Sequence, residues 1–412
     1  MNRRVVVTGI GAITPVGNNV ADMWDSLKKG VNGIDFMTTI DTTDMPVKVA
    51  GEIKNFDPAD YMDAKQARRM DKYCRYAMVA GSEAMEDAAF GDNMPDVNRF
   101  GVLIGSGIGG LDTAQTEVTK LNEKGFRKTN PLFIPMMIGN MASGNLSIKY
   151  GLKGHNTCVT TACSSGAHSI GDAFRLVRHG YAEAMLAGGA EGALTELALS
   201  GFCGLKALSL STDKDRASIP FDKERNGFVL GEGAGAVVLE EYEAAKKRGA
   251  KIYAEIVGYG ATGDAYHMTA PLPDAGGAIG AMNQAIEDAG LTPEMIEYIN
   301  AHGTSTELND KAETYAAHQV FGEHAKKLVM SSTKSMIGHL LGAAGAVESV
   351  ISILAIQNNF APPTINYKVS DPECDIDCAP NEGRNMEINY AMSNSLAFGG
   401  HNASLVFGKV RD

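Results

Sequence analysis

A single cysteine stands in a run of small residues, Val159-Thr160-Thr161-Ala162-Cys163-Ser164-Ser165-Gly166-Ala167-His168. A helical pattern starts at Ser164 and continues to about His179, with Ile170, Phe174 and Val177 on one face. Cys163 is therefore placed where a loop becomes a helix. The partial positive charge of a helix N-terminus favours a thiolate over a thiol. The small neighbours leave the sulfur open to another molecule. This is the setting of a nucleophile, with a buried structural cysteine as the alternative. Three other stretches carry groups that could work with it. His302 follows a strand pattern in Asn300-Ala301-His302-Gly303-Thr304-Ser305-Thr306. Lys334 and His339 lie between a strand and a helix in Ser332-Thr333-Lys334-Ser335-Met336-Ile337-Gly338-His339-Leu340-Leu341-Gly342. Phe398 opens a glycine turn, Phe398-Gly399-Gly400-His401-Asn402, whose backbone amides are free to face a ligand. Strand ends are where α/β proteins build their sites. Together these stretches supply a nucleophile, two imidazoles, an ammonium group and an amide donor. Metal binding lacks a pattern: there is no HxxxH, HxH or paired CxxC, and Cys374 and Cys378 have no second pair. A Cys–His hydrolase would leave the lysine and the second histidine without a task.

The elements that must hold these residues alternate along the chain. Strand patterns at Arg4–Gly9, Phe100–Ile104, Ala184–Gly188 and Gly233–Glu240 are followed by others near Ala254–Tyr259, Tyr298–Ala301 and Leu328–Ser331. Helical patterns lie between them, and a last strand pair spans Ile388–Ser393 and Ala403–Gly408. This predicts an α/β protein, mainly parallel, with helices on both sheet faces. The opening Gly342-Ala343-Ala344-Gly345-Ala346 resembles the one after Cys163, which would set two helix N-termini beside one site. The 412 residues can bury a large core. No apolar run reaches the length of a membrane span, and no signal-peptide pattern follows Met1. Six scattered cysteines indicate a reducing cytosol, hence a cytoplasmic protein. A net charge of −12 argues against nucleic-acid binding.

Two patterns admit more than one reading. Gly105, Gly107 and Gly110 satisfy GxGxxG after a strand. A dinucleotide site also needs a second strand ending in an acidic residue at the right distance, and none follows. From Lys65 to Ala88 the pattern is helical, and Lys65, Arg68, Arg69, Lys72 and Arg75 would share one face. That stripe is either a solvated face or a docking surface for an acidic partner.

The motifs around Cys163, His302, Lys334, His339 and Phe398 resemble, in order, those of the β-ketoacyl-[acyl-carrier-protein] synthases. Elongating members of type II fatty-acid synthesis are the most similar, and the likeness runs from Val5 to Phe407. The resemblance implies a thiolase-like fold of two similar βαβαβαββ halves, residues 1–250 and 251–412, in a five-layered αβαβα sandwich. It implies acyl transfer to Cys163, an oxyanion hole from the amides of Cys163 and Phe398, and decarboxylation of a malonyl group supported by His302 and His339. Lys334 would orient the histidines, and Glu348 would be a structural carboxylate near the site. Ile108, Phe133, Phe202 and Gly399 match substrate-binding positions, and Thr304 and Thr306 match those that hold the phosphopantetheine arm. Lys65, Arg68, Arg69, Arg127 and Lys206 match docking positions for an acidic acyl-carrier protein. A homodimer is implied. No resident cofactor is implied, although a structural monovalent cation is compatible with the family. The His339 position separates this pattern from the priming synthases, and the lack of a second cysteine in the Phe398 turn separates it from degradative thiolases. A ketosynthase of a type II polyketide or aryl-polyene pathway shares the same motifs. A non-catalytic chain-length factor would lack Cys163.

Overall fold

Residues 3–411 are described by a computed structural model. One sequence of elements occurs twice. The first half runs β1 (Val5–Ile13), α1 (Lys72–Asp87), β2 (Phe100–Gly105), α2 (Met141–Tyr150), β3 (Asn156–Thr157), α3 (Ser165–Arg178), β4 (Ala184–Glu191) and β5 (Gly233–Glu241). The second runs β6 (Ala254–Gly263), α4 (Gly276–Ala289), β7 (Tyr298–Asn300), α5 (Glu307–Phe321), β8 (Val329–Ser331), α6 (Ala344–Asn358), β9 (Tyr390–Ala397) and β10 (His401–Gly408). The strands hydrogen-bond in the order β3-β2-β4-β5-β1-β6-β10-β9-β7-β8. The two sides of the β1–β6 contact mirror each other. That contact is short, Val5–Val7 against Ala254–Ile256.

The expectation of a mainly parallel sheet does not hold. In each half the second strand is parallel to the third and fourth, but the fifth runs antiparallel to the first and fourth. The reason is the connection. Between β9 and β10 only the turn Phe398–Gly400 intervenes, and so short a link can join only antiparallel strands.

The layers follow from which faces are apolar. Helices α3 and α6 share one buried cluster with strands of both halves, including Ile170, Phe174, Val347, Ile351, Val237 and Leu405. Helix α1 packs with the first half alone and α4 with the second. The result is the five-layered αβαβα thiolase-like sandwich. Because α6 is covered on all sides, Ala344–Ile356 is buried without a break, Glu348, Ser349 and Ser352 included. The helical segment Leu341–Asn358 is in fact long and apolar enough to cross a membrane, contrary to the sequence expectation, but 89% of it is buried inside the protein.

The duplication reaches individual contacts. A Cβ at Gly9 would stand 2.1 Å from the Ala84 carbonyl oxygen, and one at Gly11 1.9 Å from that of Ala80. In the second half, Gly258 and Gly260 meet the carbonyls of Ala285 and Ala281 at the same 2.1 and 1.9 Å. Asp87 accepts from the Ile10 amide at 3.0 Å, and Asp288 from the Tyr259 amide at 3.1 Å. Glycine strips the strand face so that the helix backbone can lie against it. Gly9→Ala and Gly258→Ala should each cost about 2 kcal/mol or more through overpacking. Urea unfolding of the two variants checks this, and an undisturbed midpoint in either would show that the close approach is not a constraint.

Candidate active site

Cys163 is reached through a strained turn. Ala162 has φ of +50°, a left-handed conformation that costs energy for a residue with a Cβ. Ser165 Oγ donates to the Ala162 carbonyl at 2.7 Å and accepts from the Thr161 amide at 2.9 Å. Thr161 Oγ1 bonds His168 Nδ1 at 2.8 Å. Helix α3 starts directly behind the nucleophile. The second half repeats the kink at Leu341, φ +48°, ahead of α6, with Gly342 standing where the first half has Cys163. The two helices do begin side by side: a Cβ on Gly166 would lie 2.9 Å from the Ala346 nitrogen.

The other groups stand beyond the C-terminal ends of strands. His302 follows β7, Lys334 follows β8 and Phe398 follows β9. The His302 and His339 rings meet edge to face, 5.3 Å between centroids. The His302 and Gly303 amides donate to the two carboxylate oxygens of Glu313, each at 2.8 Å. His339 is sewn to a neighbouring loop: its amide donates to the Val229 carbonyl, and the Gly231 amide donates to its own carbonyl. Nδ1 of each ring is buried and has no protein partner.

Lys334 is 1% exposed and pairs with the fully buried Glu348. Its Nζ also donates to the His302 carbonyl at 2.5 Å. The lysine thus steers His302 through its backbone rather than through its ring. Burial, reinforced by the Lys334 charge, pushes both imidazoles well below their ordinary value. Both are neutral at neutral pH, and each can donate one N–H.

Burial also pushes the Cys163 thiol up to about 12, against the pull of Lys334 and of the Phe398 and Cys163 amides. The helix terminus was expected to favour the thiolate. In this enclosed site desolvation outweighs it, so the resting group is a thiol. The same observation places the Phe398 amide within reach of the sulfur. The Gly399 amide is not free to face a ligand, as the sequence suggested, because it donates to the Met268 carbonyl at 2.7 Å. Gly399 serves the turn through its positive φ of +83°.

A cavity of about 530 Å³ joins Cys163, His302, His339, Phe398, Thr304, Thr306 and Phe202, with the exposed Lys206 on its lining. Phe228 bridges Phe202 and His339, with ring centroids 5.4 and 5.3 Å away. Sequence reading missed Phe228, which sits past a long polar loop, and missed Glu313, which lies on a helix of ordinary polarity. Ile108 and Phe133 do not line this cavity. Ile108 is 43% exposed and Phe133 half-buried, beside exposed Leu132 and Ile134.

The basic stripe is not one helix face. The helix Ala64–Ala67 ends, and α1 starts anew with Asp71 accepting from the Tyr73 amide. Arg75 turns inward to the carbonyls of Ala67 and Met70, and Lys72 approaches Asp112 at 4.0 Å. Lys65, Arg68 and Arg69 remain exposed, as does Arg127 in the turn Phe126–Lys128. None of these four forms an ion pair with the described residues.

Models of two domains match this chain: the β-ketoacyl synthase N-terminal domain over residues 2–245 and the C-terminal domain over 253–368. The chain belongs to the β-ketoacyl synthase family. A 3-oxoacyl-[acyl-carrier-protein] synthase 2 of Staphylococcus aureus (strain COL) is 52% identical over 408 residues, 99% of each chain. One from Synechocystis sp. (strain ATCC 27184 / PCC 6803 / Kazusa) is 51% identical over 410 residues, again 99% of each. Among solved structures, a β-ketoacyl synthase from Burkholderia phymatum STM815 superposes with a TM-score of 0.90 at 37% identity, over 99% of this chain and 100% of that one. A type II polyketide ketosynthase, solved in complex with its acyl-carrier protein, gives 0.93 at 33% identity over the whole of both chains.

In this β-ketoacyl synthase the Lys334–Glu348 pair is the most consequential buried charge. Lys334→Ala strands Glu348 and should cost about 3–5 kcal/mol. Lys334→Met combined with Glu348→Leu should regain most of that loss, since no charge is then left alone. Thermal and denaturant unfolding of the three proteins would show it, and a double variant weaker than the single one would refute it.

Proposed function

We propose that this synthase elongates acyl chains in fatty-acid synthesis by decarboxylative condensation, using Cys163 as the acyl carrier. The observation that carries the reading is the convergence of Cys163, two neutral imidazoles and the Phe398 amide on one cavity. Cys163 Sγ attacks the thioester carbonyl of an acyl-carrier protein. A new C–S bond forms, and the phosphopantetheine thiol leaves with the proton. The amides of Cys163 and Phe398 stabilise the oxyanion. A malonyl-carrier protein then binds, its arm held by Thr304 and Thr306. Loss of CO2 leaves an enolate whose oxygen accepts hydrogen bonds from His302 and His339. The enolate carbon attacks the acyl-cysteine carbonyl, the C–S bond to Cys163 breaks, and the departing thiolate takes a proton from water. The product is two carbons longer.

The two relatives at 51–52% identity are synthases of this kind, whereas the polyketide ketosynthase stands at 33%. This supports the fatty-acid reading over a polyketide or aryl-polyene pathway. The nucleophile itself speaks against a chain-length-factor role. The solved ketosynthase–carrier complex supports a carrier-protein partner. Exposed Lys65, Arg68, Arg69, Arg127 and Lys206 suit an acidic one. A second copy of the chain would cover Val118, Leu121, Phe126, Ile134 and Ile148, all exposed, and would complete the wall that Ile108 and Phe133 leave open. Sedimentation velocity reads that dimer directly, and a monomer at working concentration would refute it. Buried Asn300 Oδ1, Ser393 Oγ and Glu348 Oε2 lack protein partners and are oxygen donors suited to a structural cation. Six free thiols support a reducing cytosol.

Intact-protein mass after mixing with a saturated acyl-carrier protein tests the central step. The acyl mass should appear on Cys163 and leave as the longer product when malonyl-carrier protein is added. Cys163→Ala should show no acyl mass, and acylation of that variant would overturn the assignment. Arg68→Glu with Arg69→Glu should slow transfer from carrier protein at least about tenfold at low salt and spare transfer from acyl-CoA. Equal losses would return these arginines to an ordinary solvated surface.

A further inference from the structure

The glycine-rich turn after β2 points its amides inward. Its amides go to a carboxylate. Glu191, the last residue of β4, is fully buried. Its Oε1 accepts from Ser106 Oγ at 2.9 Å and from the Ile108 amide at 3.3 Å. Its Oε2 accepts from the Gly107 amide at 2.8 Å and from the Gly342 amide at 3.0 Å. Ser106 Oγ in turn accepts from the Gly109 amide at 2.9 Å. One carboxylate thereby fastens the loop that carries Ile108 to the turn that follows His339. The first belongs to the first half of the chain and the second to the other half. The cradle is built to the carboxylate's dimensions. A Cβ at Gly107 would stand 2.8 Å from Glu191 Oε2, and one at Gly342 2.7 Å from the same atom.

We propose that Glu191 is a positioning residue for acyl transfer, fixing the Ser106–Ile108 loop beside the Cys163 turn against the Gly342 turn. This rests on the reading of Cys163 as the acyl carrier. The loop bears on acyl transfer because it abuts the nucleophile turn: a Cβ at Gly107 would stand 3.3 Å from the Ala162 carbonyl oxygen. The charge bears on the nucleophile. Glu191 opposes ionisation of Cys163, and Lys334 favours it. The neighbouring imidazoles are neutral and add no charge. A sulfur kept protonated until a thioester arrives is protected from other electrophiles. The clamp thus has two separable effects, one on shape and one on charge.

Glu191→Gln separates them. The amide keeps the size of the carboxylate but turns an N–H group toward N–H donors and carries no charge. Acyl transfer from a long-chain acyl-carrier protein should fall about tenfold or more, the scale of losing charge-assisted hydrogen bonds. Alkylation of Cys163 by iodoacetamide should move the other way. Between pH 8 and 10, roughly a unit or more above the Glu191 value of about 7, the variant should react faster and its rate profile should shift to lower pH. A residue that merely supports the fold would slow both reactions or change neither, and either result overturns the proposal. Ser106→Ala removes one bond and leaves the charge. It should slow long-chain transfer by a smaller factor and leave the alkylation profile in place, and it carries the test if Glu191→Gln does not fold. A shifted profile in Ser106→Ala would overturn the division between shape and charge. The parent protein is acylated first in the same assay. Failure at that stage would refute the condensing reading and not the clamp, because alkylation needs no carrier protein.

Discussion

An ammonium group almost without access to water governs the charge of its whole neighbourhood. Lys334 is held by Glu348 and by the His302 carbonyl. Its field adds to the burial that keeps His302 and His339 from taking protons, and it draws the Cys163 thiol toward ionisation. It also partly offsets the burial of Glu313 and Glu348. Such a charge is tolerable only when paired and hydrogen-bonded. The helices and strands that bring Glu348 under the strand ends are therefore as necessary to the chemistry as the groups that touch substrate. Two neutral imidazoles beside a protonated thiol form a site that changes charge only when a thioester or an enolate is present.

The reactive residues were legible in the sequence because each breaks a local pattern. A cysteine amid small residues, two histidines and a lysine between strand and helix, and a phenylalanine before paired glycines all stand out. The alternation of elements was legible for the same reason. Strand direction was not, because apolar runs carry no sign of orientation and only a connection length can show it. The basic stripe failed where Met70 and Asp71 interrupt the helix, one buried in the core and the other capping the next helix. Glu191 and Glu313 were invisible as site residues, since most of their partners are backbone amides that no side-chain pattern reports. The state of the Cys163 thiol was misjudged because burial is a property of the fold, while a helix start is a property of the sequence.

The duplication was seen in the sequence only through the two small-residue helix openings. Its stronger trace lies in the paired glycines of β1 and β6 and the Ala-x-x-x-Ala spacing of α1 and α4. Those contacts are matched to a tenth of an ångström, although the segments between them differ in length. Close packing preserves what loops are free to lose. The halves then diverge at the site. The first supplies the nucleophile and the glycine loop, and the second supplies the imidazoles, the lysine and the Phe398 turn.

The kink at Ala162 has a twin at Leu341, within two degrees in φ. One precedes a reactive sulfur and the other a glycine with no chemistry of its own. Backbone strain at a nucleophile is usually ascribed to catalysis. Here the same strain recurs ahead of a residue with no side chain to react, and both kinks stand where the two helix starts crowd together. The architecture holds two buried corners bent alike, and only one carries a reactive side chain. The bend at the reactive elbow therefore follows from the symmetry of the fold, and the chemistry from the side chain placed on it.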